Sequence, residues 1–205
     1  MSAPLGVILA GGQSRRMGGG DKGMLTLGDK PILQHVIDRL APQVSAMALN
    51  ANGDGARFQS FGLLVLPDSI AGFPGPLAGV LAGLDWAHSQ GAEAIVTAAA
   101  DTPFFPHNLV ARLIAAADKD IPLALAATQE TDGKRWRQPT FGLWPVALRH
   151  DLRTALEDGL RKVVLWTDRH HAGEAVFDLT DGDPFFNVNT PEDLTVARQL
   201  AEGAT

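Results

Sequence analysis

The sequence predicts an α/β protein: a single three-layer α/β/α domain around a mostly parallel, Rossmann-like sheet. Three observations predict it. Short apolar runs alternate with segments of helical period from residue 5 to residue 118. The runs are apolar throughout rather than every second residue, as in strands covered on both faces of a parallel sheet. The chain has 205 residues, 45% hydrophobic and 20% charged, which suits one core.

The elements follow in order. Val7-Ile8-Leu9 is the first strand. Ile32, Leu33, Val36, Ile37 and Leu40 repeat at helical spacing, opened by Pro31 at a first-turn position. Met47-Ala48-Leu49 and Leu63-Leu64-Val65-Leu66 are the next strands. Pro76 opens a helix carrying Leu77, Val80, Leu81 and Leu84. Ala94-Ile95-Val96 is a fourth strand, and Asn108 is an N-cap before Leu109, Val110, Leu113 and Ile114. Leu123 to Ala127, Thr140 to Leu143 and Val163 to Trp166 read as further strands, with the polar stretch Thr128 to Gln138 between the first two. These later strands and loops are expected to close over one edge. A last helix starts with Thr190 as N-cap, Pro191 at N1 and Asp193 at N3, then Leu194, Ala197 and Leu200.

Composition excludes several function classes. Glycine (22) and proline (13) make about 17% of the chain, below the level of low-complexity sequence. Without cysteine there is no disulfide, Cys-zinc site, thiol nucleophile or iron–sulfur cluster. A net charge of −6 argues against a general nucleic-acid or membrane-surface binder. No apolar stretch is long enough to span a bilayer, and Met1-Ser2-Ala3-Pro4 lacks the basic start of a secretory signal. The expectation is a soluble, cytoplasmic monomer.

The first strand runs into Leu9-Ala10-Gly11-Gly12-Gln13-Ser14-Arg15-Arg16-Met17-Gly18-Gly19-Gly20-Asp21-Lys22-Gly23. Glycines let backbone N–H groups approach a ligand closely, and successive N–H groups around a concavity bind anions. Arg15, Arg16 and Lys22 add charge. The first 40 residues carry five Lys/Arg against three Asp, leaving 12 against 20 for the rest. A cationic patch on an acidic chain points to a phosphate ligand. Gly18-x-Gly20-x-x-Gly23 matches the dinucleotide fingerprint, but it starts well past the strand end at Leu9. The P-loop fails too, because no Gly-Lys-Ser/Thr occurs.

Polar residues gather at the other strand ends. Asn50 ends the second strand, Asp68 follows the third and Asp101 the fourth. In open α/β sheets ligands bind outside the carboxyl ends of the strands, the edge these residues share with the glycine-rich loop. A cap or Asx-turn would account for any one of them, and much less readily for all. Asp101 is the metal candidate, since magnesium takes one or two carboxylates and completes its shell with phosphate oxygens and water. With scattered histidines a soft-metal site is disfavoured, and His170-His171 reads as a solvated pair.

Leu9-Ala10-Gly11-Gly12, Arg15-Arg16-Met17-Gly18 and Asp21-Lys22-Gly23 resemble the start of the pyrophosphorylase-type nucleotidyltransferases. Asn50-Ala51-Asn52, Pro74-Gly75-Pro76-Leu77-Ala78-Gly79, Asp101-Thr102-Pro103 and Asn187-Val188-Asn189-Thr190-Pro191-Glu192-Asp193-Leu194 narrow the resemblance to the molybdenum cofactor guanylyltransferase (MobA) family. The likeness covers nearly the whole chain. It implies the nucleotide-diphospho-sugar transferase type of fold, with the nucleotide in the N-terminal half and the acceptor in the C-terminal half. The implied reaction moves GMP from GTP to the terminal phosphate of molybdopterin (Mo-molybdopterin), with Mg²⁺, and releases pyrophosphate.

By similarity, Leu9, Ala10, Gly11, Gly12, Lys22, Asn50, Asp68 and Asp101 would bind the nucleotide, with Asp101 on the metal. Arg16, Lys22 and Asp101 would be catalytic, and Gly75, Asn187 and Asn189 would serve the acceptor. Asn189 is a possible second metal ligand. The implied partners are the two substrates, with transient contacts to proteins of the cofactor pathway or acceptor molybdoenzymes, and neither nucleic acid nor membrane. The segment Glu130 to Arg137 has no assigned role. Competing readings are a cytidylyltransferase of the same pathway, a sugar-1-phosphate nucleotidyltransferase, or a non-catalytic nucleotide sensor. Gly11 bears on the first, since cytidylyl relatives tend to carry alanine there.

Overall fold

Residues 3–11, 22–70, 72, 75–179 and 182–203 are described by the computed structural model, 202–203 by backbone alone. In chain order the elements are β1 (Leu5–Leu9), the short antiparallel pair β2 (Thr26–Leu27) and β3 (Lys30–Pro31), α1 (Ile32–Leu40), β4 (Met47–Asn50) and β5 (Leu64–Leu66). There follow α2 (Pro76–Ser89), β6 (Ala94–Ala99), α3 (Leu109–Ala116), β7 (Ala124–Gln129) and β8 (Arg135–Pro145). The chain then forms α4 (Arg149–Glu157), α5 (Val163–Arg169), β9 (Gly173–Asp178) and α6 (Pro191–Gly203).

Among the described residues the main sheet has the order β5-β4-β1-β6-β8-β7-β9. Every pairing is parallel except the two that β8 makes, with β6 and β7. Strand side chains alternate between faces, and both faces are covered. Ile8, Leu49, Val96 and Ala126 pack with α1 and α3, while Val7, Leu9, Ile95, Leu125 and Trp144 pack with α2, α4 and α5. That gives the three layers, with a mostly parallel sheet in the middle. A smaller core of Leu27, Ile32, Val188 and Ala197 seats α6 beside β2. No helix among the described residues is long and apolar enough to cross a membrane.

Several sequence expectations need correction. Val163 to Trp166 is helical: Val163 and Trp166 are buried in the α2/α4 layer, whereas Leu165 is 52% exposed. Three- and four-residue spacing therefore governs a run whose branched residues suggested a strand. Leu63 to Leu66 is shortened to β5, an edge strand rather than one covered on both faces, with Leu64 54% exposed. The later strands extend the sheet beyond β6 instead of closing over an edge. Pro31 precedes α1 as its N-cap residue rather than sitting in its first turn. Asn108 occupies the N-cap of α3 without a side-chain bond; the Val110 N–H donates to Gln43 Oε1 instead, at 3.0 Å. His170 is not solvated, since its Nε2 lies 2.8 Å from Asp151 Oδ1 and its ring packs on Trp166. The capping box at α6 is as expected. Thr190 Oγ1 accepts from the Asp193 N–H at 3.1 Å, and Asp193 Oδ2 accepts from the Thr190 N–H at 2.9 Å.

One irregularity shapes the carboxyl edge. β8 pairs with β6 from Ala94 opposite Pro145 to Thr97 opposite Gly142, and with β7 up to Leu125 opposite Gly142. The next β7 residue, Ala126, is opposite Gln138, so Pro139, Thr140 and Phe141 form a bulge. Pro139 has no N–H for a ladder bond, which suits it to such a break. β8 parts from β6 there, level with the last residues before Asp101. Phe141, turned into the core, packs on Phe105 (ring centroids 5.5 Å apart) and Phe185 (4.9 Å). Those two rings anchor the loops that follow β6 and precede α6.

Candidate active site

Two clusters form at the carboxyl edge. The first lies at the ends of β4 and β5. Asn50, 3% exposed, donates from Nδ2 to the Leu66 carbonyl at 3.1 Å and to Asp68 Oδ1 at 3.0 Å. Asn52 donates to Asp68 Oδ2 at 2.7 Å and accepts from the Asp68 N–H at 2.9 Å. Asp68 is thereby held by two amides from the neighbouring strand end, each a charge-assisted bond. Ala10 joins this group through its N–H, which donates to the Asn50 carbonyl at 2.9 Å. A Cβ built on Gly11 would stand 3.6 Å from Asn50 Oδ1, an ordinary contact, and the residue does not have a left-handed φ. No turn geometry and no packing contact therefore demands glycine there.

Gly79, in the first turns of α2, is the neighbour that matters most. A Cβ there would collide with Asn50 Oδ1, and would come within 2.9 Å of both Asn50 Cγ and Leu9 Cδ2. The glycine lets α2 lie directly on the ends of β1 and β4. Gly75 has φ of 140° immediately before Pro76 at the helix start, a conformation that favours glycine. Within 4 Å of a Cβ built there lies the Arg161 carbonyl oxygen, at 3.9 Å, and no atom of either cluster.

The second cluster lies beyond β6. Gly23 sits against the strand end, where a Cβ would be 3.2 Å from Leu33 Cβ and 3.3 Å from the Ala100 carbonyl oxygen. This packing brings Lys22 to the Asp101 side. Three consecutive residues from the other end of the chain complete the cluster. Asn187 Oδ1 accepts from the Thr102 hydroxyl, the Val188 N–H donates to the Asp101 carbonyl at 2.9 Å, and Asn189 Oδ1 accepts from Lys22 Nζ at 2.5 Å. Asp193 braces the turn by accepting from the Asn189 N–H at 2.9 Å; that bond and those from Thr190 hold its carboxyl below its ordinary range.

Burial pushes the Asp101 carboxyl above its ordinary pKa, and the nearby Lys22 ammonium with hydrogen bonds from the Asp101 backbone and Thr102 offsets only part of that. Lys22 spends a hydrogen bond on Asn189 rather than on this carboxylate. A cation against Asp101 would relieve the same penalty. Among the described residues no three His, Cys, Asp or Glu side chains gather to hold a metal. A cation here would draw most of its shell from phosphate and water, the habit of magnesium.

Of the residues singled out by sequence, Leu9, Ala10, Gly11, Asn50 and Asp68 meet in the first cluster, and Lys22, Asp101, Asn187 and Asn189 in the second. The Ala100 N–H donating to the Leu9 carbonyl at 3.1 Å ties the two across β1 and β6. Gly12, Arg15 and Arg16 lie outside the described residues. Asn52, Gly79 and Thr102 have parts that sequence reasoning did not assign, and Asp193, expected as a cap, also holds the Asn189 N–H; each stands inside a quoted segment. The Glu130 to Arg137 segment now has a structural role as the tip of the β7–β8 hairpin. Arg137 donates to Glu174 Oε1 on β9 at 2.6 Å and pairs with Asp168 of α5, and Arg135 reaches Glu174 at 3.4 Å.

Comparison with known proteins bears on the family and the fold. Residues 6–172 match the family model for the MobA-like NTP transferase domain. The chain is 51% identical over 200 residues to the molybdenum cofactor guanylyltransferase of Bradyrhizobium sp. (strain ORS 278), covering 96% of this chain and 92% of that protein. Among solved structures, molybdopterin-guanine dinucleotide biosynthesis protein A from Archaeoglobus fulgidus superposes with a TM-score of 0.70 at 21% identity, over 97% of this chain and 99% of that one. CMP:2-keto-3-deoxy-manno-octonic acid synthetase, complexed with CTP, superposes with a TM-score of 0.73 at 16% identity over the whole of both chains. The fold is thus that of the nucleotide-diphospho-sugar transferases, and the chain belongs to the MobA-like NTP transferase family.

Proposed function

We propose that this enzyme transfers GMP from GTP to the terminal phosphate of molybdopterin, forming the guanine dinucleotide and pyrophosphate. The observation that carries the reading is the second cluster, where Lys22, Asp101 and residues 187–189 meet at the carboxyl edge of the sheet. The curated relatives named molybdenum cofactor guanylyltransferase, near 50% identical over almost the full length, supply the substrates.

An acceptor phosphate oxygen attacks the α-phosphorus of GTP, a new P–O bond forms, and the bond to the bridging oxygen of pyrophosphate breaks in line. The acceptor phosphate is already ionised at neutral pH, so the residues need not supply a strong base. Their task is to bring two anions together and hold them in line. Leu9, Ala10, Gly11, Gly12, Asn50 and Asp68 bind the nucleoside end, with Asp68 oriented by Asn50 and Asn52 as an acceptor for hydroxyl groups. Lys22 and Arg16 offset charge on the departing pyrophosphate. Asp101, with Asn189 beside Lys22, would hold Mg²⁺, which when bound neutralises phosphate charge. Gly75, Asn187 and Asn189 line the acceptor side. In this reading the whole chain is one domain, the N-terminal half for the nucleotide and the C-terminal half for the acceptor.

The test is transfer to molybdopterin with GTP, CTP, ATP and UTP in turn, following the dinucleotide product and pyrophosphate with and without Mg²⁺. Mg²⁺-dependent product with GTP well above the others is expected. Preference for CTP would make this a cytidylyltransferase, and tight GTP binding without product would make it a sensor.

A further inference from the structure

We propose that Asn189 is a positioning residue of the nucleotide site, which holds the Lys22 ammonium in place for a triphosphate. The inference rests on the transferase reading above and gives a residue of the acceptor side a part in nucleotide binding. Lys22 Nζ donates to Asn189 Oδ1 at 2.5 Å, between side chains 167 positions apart. An ammonium has three N–H donors and no lone pair, so only the oxygen end of the amide can face it. One donor is spent on Asn189, which leaves two for phosphate oxygens.

The two side chains are fixed to unequal degrees. Asn189 is short, and its backbone is braced on both sides. Its N–H donates to Asp193 Oδ2 at 2.9 Å, and the wholly buried Val188 before it donates its N–H to the Asp101 carbonyl at 2.9 Å. Lys22 also starts from a fixed backbone, since Gly23 packs on Leu33 and on the Ala100 carbonyl. Its four-carbon stem is flexible, however, unless the far end is held. Asn189 holds that end by a hydrogen bond, while Asp101 pulls on it by charge. Released from Asn189, the ammonium would drift toward the Asp101 carboxyl or into solvent, and a triphosphate would have to gather it at an entropic cost. Held by Asn189, it is in place before the nucleotide arrives.

The experiment is a double-mutant cycle on GTP affinity, with wild type, Asn189→Ala, Lys22→Met and the double variant titrated by calorimetry in EDTA. Without a divalent ion no metal bridges Asn189 to the nucleotide, so any loss lies in contacts of the protein itself. Alanine keeps the backbone N–H that bonds Asp193, and methionine keeps an unbranched stem without the charge; circular dichroism checks that both fold. With Lys22 present, Asn189→Ala is expected to raise the GTP Kd about five- to tenfold. In the Lys22→Met background the same change should alter it by less than about twofold. An unchanged Kd in Asn189→Ala overturns the proposal. So does an equal loss in both backgrounds, which would mark Asn189 as a direct nucleotide contact or a structural prop. Wild type that binds GTP only once Mg²⁺ is added also overturns it, since the metal and not the held ammonium would then carry the triphosphate. A chain that shows the non-additive cycle but transfers nothing to molybdopterin with Mg²⁺ overturns the transferase reading alone. One that binds no GTP with or without Mg²⁺ overturns both.

Discussion

Replacing Gly79 with alanine sets two effects of opposite sign against each other. In a helix interior, glycine to alanine normally stabilises by about 1 kcal/mol. Here the added methyl would meet Asn50 and Leu9, at 2.9 Å from Asn50 Cγ and from Leu9 Cδ2. Overpacking of that kind costs about 1–3 kcal/mol. Asn50 cannot swing aside freely, because its amide is committed to the Leu66 carbonyl and to Asp68. Breaking those bonds adds about 1 kcal/mol each. The clash wins, and Gly79→Ala should lose about 2–4 kcal/mol net, which for a chain of this length lowers the melting temperature by about 4–16 °C.

Gly83, one turn further along α2, is the internal control. A Cβ there would come within 2.8 Å of Ile95 Cδ1 and Val7 Cγ2, which are ends of core side chains with no hydrogen bond to lose. Gly83→Ala should therefore cost less, about 0–2 kcal/mol, and should leave GTP affinity alone. Gly79→Ala should in addition weaken GTP binding about five- to tenfold, because Asn50 carries Asp68 with it. Thermal unfolding and GTP titration of both variants check this. A Gly79→Ala protein melting at or above wild type would refute the packing argument. Equal GTP losses in the two variants would remove Asn50 and Asp68 from the nucleotide site.

Three further outcomes are expected. Gly11→Ala should leave stability within about 0.5 kcal/mol of wild type, since its methyl meets only an ordinary contact. Specificity constants with GTP should fall more than those with CTP, and a uniform loss would sink the role in base choice. Asp101→Asn should abolish Mg²⁺-dependent transfer while circular dichroism stays native, because the shape is kept and the charge lost; wild-type turnover at saturating Mg²⁺ would contradict the metal role. Glu174→Gln tests the hairpin anchor. The hydrogen bond from Arg137 holds the Glu174 carboxyl below its ordinary 4.5. A depressed carboxylate stabilises the fold above its unfolded pKa, and that contribution fades as pH drops through the folded value. The variant should be about 1–2 kcal/mol less stable than wild type at pH 7, and the gap should narrow below pH 4.5 in urea titrations. A gap that is constant with pH would place the loss in packing rather than charge.

The alternation of apolar runs and helical periods carried the fold class, because local burial on two faces or one writes itself directly into residue spacing. The same holds for the α6 capping box, where Thr190, Pro191 and Asp193 act within one turn, and for Asn50, Asp68 and Asp101, which stand where strands end. Where the sequence misled, a local pattern was overruled by distant packing. Val163 to Trp166 is rich in strand-forming residues, yet it is helical, and from that helix Trp166 donates its indole N–H to Asp151 at 2.8 Å and buries against Trp144. The membership of each cluster was likewise beyond reach. Lys22 meets Asn189 across 167 positions, and Thr102 meets Asn187 across 85. Sequence places such residues in segments, but their contacts exist only once the β8 bulge has parted the sheet and the three phenylalanine rings have locked both loops beside the gap. Gly79 shows the same division. Its presence in a helix reads as a weakness by propensity, and only the approach of Asn50 reveals that the missing methyl is what lets the helix close on the strand ends.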